Sequence, residues 1–141
     1  SENDVRLQAT LGNQNPTGLP VGVVSKDDVA DIMDSVLNAD VVVWATPIYY
    51  YEMSGQMKTL IDRLNPMYSK DYKFRDVYLL AAAAEEGDEV FEKVITGLNG
   101  WIDCFEKTTI KGIVLTGGVS DGGAISGNDK LKEAYDLGSH V

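Results

Sequence analysis

The 141-residue sequence has one cysteine, Cys104, and one histidine, His140. A single cysteine excludes an internal disulfide framework. Together with the lack of a basic, apolar leader, this sets the expectation of a cytoplasmic protein. One histidine, next to the last residue, leaves no cluster for a metal centre and no Ser–His arrangement for nucleophilic catalysis. No apolar run approaches the roughly 18–20 residues of a membrane span, so no membrane partner is expected. Cations are in the minority: 12 Lys and Arg stand against 22 Asp and Glu, for a net charge of −10. Nucleic acid is excluded as a partner, because phosphate binding needs a basic face. The acidity reads as a solvated surface. No G-x-G-x-x-G follows a strand. The glycine-rich stretch TGGVSDGGAISG (116–127) lacks a Walker lysine and carries Asp121, which repels an anion. It is expected to be a mobile rim loop.

Helical and strand patterns alternate along the rest of the chain. Val29, Ile32, Met33, Val36 and Leu37 form one helix stripe ending near Asn38, with Ser25 and Asp28 spaced as in a capping box. VVVWA (41–45) is a continuous apolar run, expected as a strand covered on both faces and ending at Thr46-Pro47. A second helix is expected from Ser54, its N-cap, to Leu64. The strand VYLLAAA (77–83) follows, then a helix whose inward face is Val90, Phe91, Val94, Ile95, Leu98, Trp101, Ile102 and Phe105. Cys104 is expected as a helix residue at the margin of the core rather than a redox centre. GIVLTG (112–117) reads as the third strand. A last helix over 129–138 carries Leu131, Ala134 and Tyr135. Such alternation implies a parallel sheet between helices, with ligands at the carboxyl ends of the strands. Three loops should converge there: Thr46–Tyr51, Ala82–Gly87 and Thr116–Gly127. Residues 1–24 differ: Val5, Leu7, Ala9 and Leu11 alternate as in a half-buried strand, and 12–22 is turn-rich.

Three consecutive tyrosines, Tyr49–Tyr51, stand between the first buried strand and the second helix. Two readings account for them. They cover a subunit contact, since one end of a tyrosine is apolar and the other wet. Alternatively they face a flat aromatic ligand, with Pro47 fixing the backbone, the backbone of 46–49 meeting a ring edge, and Gly55 allowing close approach.

The stretch ADVVVWATPIYYYEMSGQMKTLIDR (39–63) resembles the second flavin loop of the NADPH-dependent FMN reductase and iron–sulfur flavoprotein family. The likeness extends from Ser25 to the end. It implies an α/β fold: a three-layer, flavodoxin-like parallel sheet with helices on both faces. By position it implies that Thr46, Pro47, Ile48, Tyr49 and Tyr50 line an isoalloxazine, with Ala83 and Ala84 on another side of the ring. It implies FMN as cofactor, NAD(P)H as co-substrate and a small electron acceptor such as a quinone or free flavin. The family's opening strand and Ser/Thr-rich phosphate loop have no counterpart in the residues before Ser25, so the N-terminal β-α unit is expected to be missing or replaced. No cysteine occurs in residues 1–25, so an iron–sulfur site is not expected. The whole chain, 1–141, is expected as one domain and a homodimer, with residues 1–24 pairing beside VVVWA in their own subunit or across to a partner. The reading from another class is a non-catalytic, dimeric interaction module on the same scaffold.

Overall fold

The computed structural model of the chain describes residues 27–141. The expectations for Val5–Leu11, for the turn-rich stretch 12–22 and for Ser25 in a capping box lie outside the described residues. The elements run α1 (Val29–Asn38), β1 (Val41–Tyr49), β2 (Glu52–Met53), α2 (Gly55–Arg63), β3 (Asp76–Ala82), α3 (Glu92–Ile102), β4 (Thr109–Thr116) and α4 (Asp129–Gly138). Short 3-10 segments, Asn65–Ser69 and Asp88–Phe91, follow α2 and precede α3.

The sheet order is β2-β1-β3-β4. β1, β3 and β4 are parallel, as the alternation of helix and strand requires, whereas β2 is a two-residue antiparallel partner of β1. The sheet is therefore mixed, with a parallel body. The core lies on one face, where Val42 and Trp44 of β1 and Val77, Leu79 and Ala81 of β3 meet Val29, Met33, Met57, Val94, Leu98 and Ile102 from the helices. An aromatic knot closes one end of it. Trp101 meets Trp44 edge-on at 5.4 Å, stacks on Phe74 at 5.8 Å and touches Phe105 at 4.8 Å. Such pairs add to the energy of area burial.

Several expectations need correction. β1 does not stop at Thr46-Pro47; it runs to Tyr49. Nor is it covered on both faces. Val42, Trp44 and Thr46 are buried, while Val43 is 52% exposed and Ala45 and Pro47 are also open. The reason is the placement of α4, which packs on the opposite sheet face but against β4, with Leu137 over Gly112 beside Tyr78. Leu131 and Tyr135 of α4 are exposed. Cys104 lies in the turn after α3 and is exposed. At the start of α1, Asp28 makes no side-chain cap; Asp27 Oδ1 accepts the Val29 N–H instead, at 3.2 Å.

Candidate functional site

Three chain segments leave the sheet at one level. Pro47 is in register with Ala82, and Ala82 with Thr116. Beyond that level the loops after β3 and β4 are joined through their backbones. Ala83 N–H donates to Thr116 O at 2.9 Å, Val119 N–H to Ala83 O at 3.0 Å and Gly118 N–H to Glu85 O at 3.2 Å. The approach is close enough to demand glycine: a Cβ on Gly117 would stand 2.8 Å from Glu85 O. The expected convergence of three loops is what the structure shows.

On the β1 side, the strand end is tied to the next helix. Thr46 is buried, and its hydroxyl accepts the Ser54 N–H at 2.9 Å while donating to Pro47 O at 2.7 Å. Ser54 caps α2, its Oγ accepting from Met57 N–H at 3.3 Å, as the sequence led us to expect.

The tyrosines form the tip of a hairpin. Ile48 pairs with Met53 and Tyr49 with Glu52, which leaves Tyr50 and Tyr51 as a two-residue turn. Their φ angles are +52° and +66°. Positive φ at both central positions marks the turn type that matches strand twist, usually built from Asn-Gly. Tyrosine has a Cβ, and each such residue costs roughly 1–2 kcal/mol of local strain. The turn is held from outside. Tyr51 hydroxyl donates to Glu85 Oε2 at 2.8 Å, and Lys93 Nζ lies 5.6 Å from the centre of the Tyr51 ring. The hydrogen bond to Glu85, then its negative charge, raise the Tyr51 pKa above the ordinary tyrosine value.

The residues singled out from the sequence thus fall into two groups. Pro47, Tyr49, Tyr50 and Ala84 are open at the rim; Tyr49 is 59% and Tyr50 98% exposed. Thr46 and Ala83 are buried and Ile48 is half-buried, so the side chains of these three are not open at the rim. The N–H groups of Ala84 and Glu85 make no hydrogen bond among the described residues, so both are available as donors to a ring-edge oxygen or nitrogen. Around them the β3–α3 loop is acidic, with Glu85, Glu86, Asp88 and Glu89 all exposed. A flat, neutral ring system suits this surface; an anionic group does not.

Sequence reasoning passed over Glu85, Lys93 and Gly117. Only the two neighbouring acids at 85–86 and the adjacent glycines at 117–118 hinted at them. Among the described residues no group of three or more His, Cys, Asp or Glu is placed to hold a metal ion. A surface cleft between α1 and α2, lined by Val29, Gln56, Thr59 and Arg63, lacks an acid–base pair, and its Arg63 is engaged by Asp27 at 2.7 Å. No helix of the described residues is long and apolar enough to cross a membrane.

Residues 6–126 match the family described as NADPH-dependent FMN reductase, so the likeness begins upstream of Ser25. An iron-sulfur flavoprotein of Archaeoglobus fulgidus is 30% identical over 124 residues, covering 84% of this chain and 52% of the relative. The chain thus spans about half the length of that curated protein. Among solved structures, an NADH:FMN oxidoreductase in its apo form superposes with a TM-score of 0.63 at 19% identity, covering 97% of this chain and 76% of the other. The Trp repressor binding protein from Bacillus subtilis gives 0.61 at 22%, covering 95% and 87%. At such identities the likeness shows the fold, which is flavodoxin-like α/β.

Proposed function

Since the chain belongs to the NADPH-dependent FMN reductase family, we propose that it is an FMN-dependent oxidoreductase that draws on NAD(P)H and serves a small acceptor such as a quinone or free flavin. The observation that carries this reading is the rim itself. Inside the matched stretch, three strand ends stand level and present Pro47, Tyr49, Tyr50 and Ala84 outward. The residues fit the ring portion of FMN. Aromatic and proline surface is available for a face, unbonded backbone N–H groups for an edge, and the adjoining β3–α3 loop is acidic. Bound FMN supplies the hydride chemistry. The protein's share is position and electrostatics, so the lack of an acid–base constellation fits. Thr46 serves by tying the strand end to α2, Ala83 by joining the loops after β3 and β4, and Ile48 by carrying the hairpin.

The reading includes a homodimer and a single domain over 1–141. The bare apolar face of β1 at Val43 supports a second copy there. Without flavin binding, the dimeric interaction module is what remains of the proposal.

Equilibrium titration of the apoprotein with FMN, read by flavin fluorescence, tests it. The expected result is a yellow complex whose affinity falls about tenfold in the Tyr49→Ala, Tyr50→Ala double variant. The thermal midpoint without ligand should barely move. Failure of the wild type to bind FMN, or equal binding by the double variant, would remove this site. Oxidation of NADH and of NADPH in the presence of a quinone then distinguishes the co-substrates.

A further inference from the structure

We propose that Tyr51 and Glu85 are positioning residues: their hydrogen bond ties the tyrosine hairpin to the β3 loop and thereby presents Tyr50 to the planar ring. This deepens the flavin reading above and rests on it for the identity of the ring.

Tyr50 and Tyr51 share one strained turn but have opposite surroundings. Tyr51 is engaged on both sides, its hydroxyl on Glu85 Oε2 at 2.8 Å and its ring under Lys93 Nζ at 5.6 Å. Tyr50 is 98% exposed and has no hydrogen bond or ring contact among the described residues. Two non-glycine residues at positive φ persist only where their surroundings over-determine them. The pairing with β2 covers just two residue pairs, so the hairpin's own ladder is short. The Tyr51–Glu85 bond spans 34 positions of sequence and joins that short hairpin to the parallel body of the sheet.

Glu85 is a firm anchor. Its carbonyl accepts the Gly118 N–H at 3.2 Å, and the backbone of Gly117 lies against it at a distance that only glycine allows. One residue therefore holds the loop after β4 by its main chain and the hairpin after β1 by its side chain. A hydroxyl donating to a carboxylate is stronger than a neutral pair, which suits a tie that must hold a strained turn. Releasing it would free the strained backbone that carries Tyr50, whose own side chain makes no contact that could hold the turn in place. An aromatic platform helps binding to the extent that it is already in place.

The test compares the wild type with Tyr51→Phe, Glu85→Ala and Glu85→Gln. Glutamine keeps an acceptor oxygen for the tyrosine hydroxyl; phenylalanine keeps the ring. The first readout needs no ligand: hydrogen–deuterium exchange over residues 48–53 in the free chain. The second is the Kd of lumiflavin, a ring without phosphate, and of FMN. Losing a hydrogen bond to a charged acceptor should speed exchange and weaken both ligands about tenfold in Tyr51→Phe and Glu85→Ala. Glu85→Gln should recover most of each loss. Unchanged exchange in the first two variants overturns the tie. Faster exchange with unchanged ring affinity overturns the positioning role. Weakening of FMN but not of lumiflavin overturns it too, as does a Glu85→Gln variant as impaired as Glu85→Ala. A wild type that binds neither flavin defeats the flavin reading, and the ring contact with it, before any variant is compared; exchange still decides the tie.

Discussion

The hydroxyl of Thr46 accepts the amide hydrogen of Ser54 at 2.9 Å, across a hairpin that turns the chain back between them. Ser54 in turn caps the helix that follows. One pair thus connects the end of a strand, the tyrosine turn and the start of α2. Both residues are buried, so neither group can exchange its partner for water.

Thr46→Val keeps the shape but removes the acceptor. The orphaned Ser54 N–H should cost about 1–3 kcal/mol of stability. Ser54→Ala, which removes only the cap, should cost about 1 kcal/mol. Urea unfolding checks both. The combined loss in the double variant should differ from the sum, because the two groups belong to one network. Strict additivity would show that the cap forms without the threonine.

Much of this arrangement was legible in the residues because it rests on local periodicity. The last helix has the bounds the sequence indicated, Asp129–Gly138, and Ser54 is the cap it looked to be. The hairpin was not legible. A two-residue turn is ordinarily announced by Asn-Gly, and here two tyrosines occupy it, with Tyr51 held by Glu85. β1 misled for a different reason. Valine repeated without alternation suggests burial on both faces, yet α4 sits over β4 and leaves Val43 open. Glu85 escaped notice because its partner is 34 positions away, and no periodicity links a loop acid to a hairpin phenol.

Trp101 should matter more than its half-buried state suggests. It touches Trp44, Phe74 and Phe105, each from a different element or loop. Trp101→Ala should cost about 3 kcal/mol, as aromatic-to-alanine changes in cores do. Trp101→Phe should recover a good part of that. Chemical denaturation decides; a loss for alanine below about 1 kcal/mol would mean that the knot repacks without it.

Alkaline pH should act on the Tyr51–Glu85 tie. The hydrogen bond to Glu85, the charge of Glu85 and, less strongly, that of Glu89 all oppose ionisation of the Tyr51 hydroxyl. Its folded pKa is therefore above the unfolded value of about 10. The contribution of the tie is full below that unfolded value and is lost as pH rises through the folded pKa. The difference in absorbance at the tyrosinate band between wild type and Tyr51→Phe reports this single group. Glu85→Gln should lower the pH at which it appears. An unchanged titration in Glu85→Gln would mean that the carboxylate does not govern Tyr51.

The outward face of β1 offers the clearest test of self-association. Val43 is 52% exposed at the middle of a strand, flanked on the same face by Ala45 and Pro47 and followed by Tyr49. On α4 the pair Leu131 and Tyr135, one helical turn apart, is exposed as well, at 46% and 78%. Scattered apolar residues need no partner, but a strand face in continuity with an aromatic tip does. A two-fold contact would place the same patch of each copy together. A buried charge there would lack a partner, so Val43→Glu should break the contact while leaving the folded subunit intact. Sedimentation velocity at several concentrations should show a dimer for the wild type and a monomer for Val43→Glu, with similar thermal midpoints when compared as monomers. If the variant instead loses stability and the association state stays the same, the face is covered within its own chain. If both sediment as monomers with equal stability, the face is open to solvent and the dimer proposal fails.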